Sequence, residues 1–424
     1  MTDADTHLQT LTDAHLASLV AVALRDDTTV YASAFGSRYI GADTHLPATL
    51  ATKFRIASIS KAVVAIAVMQ LVEGGALDLD RDVSDYLGFA LRNPHHAGTA
   101  ITARTLLTHT SSLRDGSIYS IPLPYTLRDF FLPTGAFYRA GEHFALTRIG
   151  QDFAYCNLNY GVLGSLIEIA SGERFDQYMQ AHILRPLGLD ASFGVHHLSD
   201  AGIAQLATLY RKHDGTRWTP AGAWVAQVDD LRGVRPQALV RVENPDTGDT
   251  ISGDTSDQLA DYTLGSNGTL FSPQGGLRIS APDLARIMRV LLGGGTVADV
   301  TLLKPTTVQA MLTVNWAYDG HNGDPYGGLM RAWGLGLHHS TATTTADGRG
   351  DAIGRPPYRR WWGHSGEAYG LLSGMWFDPL TNAGMVYMLG GVADDPDAHS
   401  GAYSSFTRWE EQIMATLCDQ IYAS

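Results

Sequence analysis

The sequence predicts an α+β fold: one sheet takes strands from both ends of the chain, and a mainly helical lobe comes from the middle. Three observations lead there. Strand-like apolar runs near the start (SLVAVALRD, TVYASAFGSRYI) are matched by others near the end (YGLLSGMWFDP, AGMVYMLGG). Long runs with helical spacing lie between them. The composition, 45% hydrophobic and 17% charged over 424 residues, is that of a globular chain able to bury a large core. We expect a single domain over residues 1–424. Its α/β lobe covers roughly 1–85 and 275–424, and a helical lobe with a loop excursion covers roughly 86–274. A cleft between lobes is the expected place for a site.

In order, the chain reads as a helix over 5–16, two strands separated by the polar turn Asp26-Asp27-Thr28, and a helix from about residue 58 that Gly74-Gly75 stops. RDVSDYLG is expected to be a loop and ITARTLLTHTSSL a short helix. Residues 115–150, rich in Pro, Tyr and Gly, show little periodicity. NYGVLGSLIEIASGERFDQYMQAHIL predicts one helix from residue 159, ending before RPLGLD. The polar, turn-rich residues 210–272 read as an insertion or lid-forming excursion. GGLRISAPDLARIMRVLL predicts a helix with Asp283 near its start, and SSFTRWEEQIMATLCDQIY a closing helix.

The net charge of −13 (30 basic, 43 acidic residues) and the lack of a basic run argue against nucleic-acid or anionic-membrane partners. No apolar run reaches the roughly 18 residues a membrane span needs. As it stands the chain reads as cytoplasmic, or as periplasmic or secreted if a leader has been removed. Two cysteines exclude a disulfide framework and leave at most one bridge, Cys156 to Cys418. No H-E-x-x-H occurs, and the adjacent pairs His95-His96, His196-His197 and His338-His339 are expected to diverge and chelate poorly. We expect no metal and no cofactor. The lack of G-x-S-x-G argues against an α/β-hydrolase elbow.

Three stretches could carry chemistry. In KFRIASISKAVVAIAVMQLVEGG, Ser58 and Lys61 lie three apart at the start of an apolar helix, with roughly 5–6 Å between Cβ atoms. A serine hydroxyl needs a neighbour to take its proton, and a lysine desolvated against an apolar wall can be neutral enough to do so. In FAYCNLNYG, Tyr155 and Asn157 are two apart and point the same way if the segment is extended. Tyr155 is expected to be a phenolate or proton shuttle, its pKa lowered by a nearby ammonium, and Asn157 to hold the lysine amine or a substrate amide. In WWGHSGEAYG, Gly363 and Gly366 bracket His364 and Ser365 on an expected edge strand beside the cleft.

Taken together, Ser58-Ile59-Ser60-Lys61, Tyr155-Cys156-Asn157 and His364-Ser365-Gly366 resemble the S-x-x-K, Y-x-N and H-x-G (or K-T-G) motifs of the serine beta-lactamase and penicillin-binding protein family. The likeness is to its class C beta-lactamase, DD-peptidase and esterase branch. LLTHTSSL, NYGVLGSLIE, PQGGLRISAPDLARI and FDP agree, so the resemblance spans about residues 50–395. It implies a beta-lactamase/transpeptidase-like fold with an antiparallel sheet flanked by helices. It also implies a serine hydrolase working through an acyl-enzyme. Ser58 would be acylated, Lys61 would be its base, and Tyr155 would pass protons to the leaving group. Asn157, His364, Ser365, Gly366 and Glu367 would bind substrate, with the amides of Ser58 and Glu367 forming an oxyanion hole. Two positions depart from the pattern. Ser112 stands where the family usually has glycine, and His364 replaces the lysine of true class C beta-lactamases. The second departure favours ester or D-amino-acid peptide substrates over beta-lactams. A class C-like beta-lactamase, and a penicillin-binding sensor without turnover, are the alternatives.

Overall fold

The computed structural model describes residues 2–423 apart from 216, 237–241, 244–249, 252–258 and 345–348. Strands β1 (Ser18–Arg25), β2 (Thr28–Ile40), β3 (His45–Pro47), β4 (Trp316–Ala317), β5 (Ala332–Trp333), β6 (His338–His339), β7 (Trp362–Ala368), β8 (Leu371–Asp378) and β9 (Ala383–Leu389) form one sheet. Its order is β4-β5-β6-β7-β8-β9-β1-β2-β3, with every neighbouring pair antiparallel. The two ends of the chain meet at its centre, where Leu19 faces Leu389 and Leu24 faces Gly384.

The run in β1 is continuously apolar because both faces of the sheet are covered. Leu19, Ala21 and Ala23 pack with helices α1 (Asp3–His15) and α5 (Arg408–Tyr422) on one face, while Val20, Val22 and Leu24 join the main core on the other. That core contains α2 (Ser60–Glu73), α3 (Leu158–Ser171) and α4 (Ala281–Leu292). Helix α2 is apolar all round and almost wholly buried, as a helix without a polar face must be.

Four elements differ from the sequence reading, the first being RDVSDYLG, read as a loop, where Ser84–Leu87 form one helical turn closed by the left-handed Gly88. The helix expected from residue 58 opens with a 3-10 turn, Ala57–Ile59, so Ser58 sits on that turn and only Lys61 on the α-helix. The single helix expected from residue 159 breaks at Gly172, which takes φ 73° as its left-handed cap. Phe175–Met179 and a wider turn, Gln180–Leu184, follow it. The run GGLRIS is a strand, Leu277–Ser280, pairing with Lys53–Arg55 and Ser192–Phe193 before α4 starts. Its two-sided burial makes strand and helix indistinguishable by periodicity. Part of the 210–272 excursion lies outside the described residues.

Arg278 on that strand forks onto Asp229, Nε and Nη2 donating at 3.0 and 2.9 Å, and both residues are buried. Removing one partner strands the other charge away from water. Asp229→Ala is therefore expected to lower unfolding stability by about 3 kcal/mol, read as a lower urea midpoint at an unchanged slope. A loss under about 1 kcal/mol would show that the pair contributes little.

Candidate active site

The geometry of the site begins with Ala57. It holds φ 49°, a strained value for a residue with a Cβ, and this turns Ser58 out at the foot of α2. Ser60, one turn on, anchors the helix start by accepting the Leu277 amide at 3.1 Å. The next residue, Lys61, is 0% exposed. Its Nζ reaches Ser58 Oγ at 2.9 Å, Asn157 Oδ1 at 2.8 Å and the Gln274 carbonyl at 2.8 Å. Burial pushes its pKa down to about 7, against the opposing pull of Asp115.

Those three contacts define what the amine can do. As an ammonium it donates three times and is satisfied. Once neutral, its two N–H groups stay with Asn157 Oδ1 and the Gln274 carbonyl, two acceptors that cannot donate, and the lone pair is left facing Ser58 Oγ.

Tyr155 also hydrogen-bonds to Ser58. The expected lowering of its pKa is not what the structure shows: loss of solvent around the hydroxyl raises it well above the usual phenol value, so Tyr155 is a neutral phenol. Lys61 Nζ does lie over its ring, 5.0 Å from the centroid, but desolvation outweighs that neighbour. His109 stacks on the Tyr155 ring at 4.3 Å. Its Nδ1 accepts the Cys156 amide at 3.1 Å, and burial holds the imidazole neutral.

The third stretch is β7. Its first two residues, Trp362 and Gly363, pair with β6, while its whole length pairs with β8. From His364 onward one edge has no strand partner among the described residues and lies against the turn that carries Ser58. Gly366 is required there, since a Cβ at that position would lie 2.4 Å from the Ile56 carbonyl oxygen and 3.3 Å from the Ser58 amide nitrogen. His364 is 1% exposed, Nδ1 hydrogen-bonds the Ser365 carbonyl at 2.6 Å, and burial lowers its pKa to about 3. It brings no positive charge to the cleft. Ser365 is partly exposed, and Glu367 is exposed at the far end of the strand.

All eight residues expected at the site thus fall on three converging segments. The sequence reading missed Asp115 and Gln274. Gln274 contributes only a backbone carbonyl, which leaves no trace in residue type. Asp115 lies two residues past the end of LLTHTSSL, where an acidic residue in a loop carries no signal of its own.

The two cysteines, Cys156 and Cys418, are both free and buried. His196 and His197 correct another expectation. Although adjacent, both Nε2 atoms reach Asp176 Oδ2, at 2.9 and 3.1 Å. Arg174 forks onto the same carboxylate at 2.6 and 2.9 Å, so four N–H donors already subscribe its two oxygens. Among the described residues, no helix is long and apolar enough to cross a membrane.

A hydroxyl, a buried amine and a phenol on one mixed α+β scaffold define an arrangement suited to acyl transfer. The chain belongs to the Beta-lactamase family, whose profile matches residues 4–406. It is 31% identical to penicillin-binding protein 4 of Amycolatopsis lactamdurans over 190 residues, 43% of this chain and 46% of that protein. It is 32% identical to esterase EstB of Burkholderia gladioli over 191 residues, 43% of this chain and 48% of that protein. The matched stretch is thus under half the length of either relative. The fold is that of the D-amino acid amidase of Ochrobactrum anthropi SV3 solved with D-phenylalanine, with a TM-score of 0.63 at 19% identity and full coverage of both chains.

Proposed function

We propose that the protein is a metal-independent serine hydrolase that opens ester or amide bonds through an acyl-enzyme, within one catalytic unit spanning the chain. The observation that carries this reading is the Lys61 Nζ to Ser58 Oγ contact of 2.9 Å, made by a lysine with no solvent exposure. Neutral Lys61 takes the Ser58 proton as Oγ attacks the carbonyl carbon. Tyr155, hydrogen-bonded to Ser58, passes a proton to the leaving alcohol or amine. Water then attacks the acyl carbon by the reverse relay and frees Ser58. The amides of Ser58 and Glu367 hold the developing oxyanion. The packing of Gly366 against the Ser58 amide supports that assignment by bringing the two backbones together. The 32% identity to a curated esterase over part of the chain favours esters as substrates.

The neutral His364 weighs against efficient capture of carboxylate-bearing beta-lactams. A penicillin-binding role keeps support from the curated relative of that name. Intact-mass spectrometry after mixing with p-nitrophenyl butyrate, and separately with benzylpenicillin, tests the reading. Ester consumption with a short-lived acyl adduct is expected. A lasting penicillin adduct without ester turnover would instead assign a penicillin-binding protein. The absence of any adduct or turnover, with further esters and D-amino-acid amides, would overturn the proposal.

The base also sets a pH dependence. Below about 7 Lys61 is an ammonium and has no lone pair for Ser58, so kcat/KM is expected to fall about tenfold per pH unit on the acid side. It should level off above that point. A profile flat from pH 5 to 8 would remove Lys61 from the role of base.

A further inference from the structure

The carboxylate partner of the Tyr155–Asn157 segment is the partly buried Asp115. Asn157 Nδ2 donates to Asp115 Oδ2 at 2.8 Å, while the Leu158 amide at the head of α3 donates to Oδ1 at 2.9 Å and Cys156 Sγ reaches the same oxygen at 3.4 Å. Helix α3 has no side-chain cap from its own Asn157, so Asp115 supplies one from another segment. The contact with Nδ2 also fixes which end of the Asn157 amide faces the lysine. With Nδ2 committed to a carboxylate, Oδ1 must point to Lys61 Nζ, at 2.8 Å.

We propose that Asp115 is a positioning residue that acts through Asn157, locking the amide so that Lys61 is held and setting how readily the amine keeps its proton. This rests on the hydrolase reading for its purpose, but not for its test. The other groups around Lys61 are poorly placed to share the task. Tyr155 and Tyr160 present ring faces at 5.0 and 5.5 Å. His109 and His364 are neutral, and burial keeps the Cys156 thiol protonated. Around Asp115 itself lie that thiol, Asn157 and the Tyr326 phenol, whose pKa is raised to about 12, with the buried His143 near its backbone. Asp115 is the carboxylate among the groups that act on the lysine.

The sign follows. A negative charge two hydrogen bonds away favours the ammonium, so removing it makes Lys61 easier to deprotonate. The chain has four lysines, Lys53, Lys61, Lys212 and Lys304. Side-chain 15N titration of lysine-labelled protein can therefore follow Lys61 directly, assigned by its loss in Lys61→Arg. In Asp115→Asn the Lys61 midpoint is expected to fall by on the order of one pH unit, with the other three lysines unmoved. Asp115→Glu, which keeps the charge, should leave the midpoint near the wild-type value even if its rate falls. An unmoved or raised midpoint in folded Asp115→Asn would overturn the proposal and leave Asp115 as a helix cap alone. Failure of the hydrolase reading would show elsewhere, as turnover that survives Ser58→Ala.

Discussion

Ser58→Ala is expected to abolish acyl-adduct formation and to reduce ester turnover by on the order of 10⁶-fold, to the background of solvent attack. The argument is one of connectivity. Ser58 Oγ is the group that meets Lys61 Nζ at 2.9 Å and shares a hydrogen bond with Tyr155, and without it neither neighbour has a nucleophile to serve. Stability should barely change. Ser58 is only half-buried, and its methyl replacement leaves the 3-10 turn, the Ser60 anchor and the packing of α2 in place. Lys61 keeps two of its three partners, Asn157 Oδ1 and the Gln274 carbonyl. A neutral lysine needs only those two acceptors. Intact mass with a fluorophosphonate probe, beside a urea titration, reads both quantities. Labelling of Ser58→Ala at the wild-type rate would move the nucleophile to another residue.

Tyr155→Phe should cost about 10² to 10⁴ in kcat, with KM changed much less. The substitution removes one oxygen. The ring keeps its stack on His109 at 4.3 Å and its edge contact with Trp333 at 6.0 Å, so the site should hold its shape. What disappears is a proton carrier. Because burial keeps the phenol protonated, the proposed reaction uses Tyr155 as a donor that is re-protonated through Ser58 or Lys61, not as a standing phenolate. The loss should therefore be largest for substrates with poor leaving groups, such as amides and alkyl esters, and smallest for p-nitrophenyl esters, whose leaving group needs no proton. Equal losses across the leaving-group series would rule out proton delivery as its task.

The site was more legible in the sequence than the path of the chain around it. Ser58 and Lys61 could be paired from a spacing of three, because α2 and the turn before it both advance about one turn over that interval. The strands at the centre of the sheet were legible because β-branched and apolar runs bounded by turns have few other uses. Periodicity failed where burial was two-sided: Leu277–Ser280 looked helical because strand and helix look alike when every face is apolar. The protonation state of Tyr155 was also read the wrong way. A sequence shows that an ammonium is near, whereas desolvation depends on how tightly His109, Trp333 and Tyr326 close around the ring. Ser112 gains a reason it lacked in sequence. It sits at φ 59°, a conformation that glycine takes freely, and its hydroxyl accepts a hydrogen bond from Asn93. His196 and His197 diverge in an ideal strand, but a bend brings both onto Asp176.

The meeting of β1 and β9 at the middle of the sheet has a consequence for the chain as it leaves the ribosome. Leu19 waits for a partner, Leu389, that is synthesised about 370 residues later. At bacterial or eukaryotic elongation rates of about 5–20 residues per second that is roughly 20–70 s. Through this interval β1 is an apolar strand with one open edge, the kind of surface on which nascent chains associate. Ser58 and Lys61 are made early in this interval, but β7, which closes over them, comes near its end. The proposed hydrolytic site is thus completed late in synthesis, shortly before the open edge of β1 is sealed by β9.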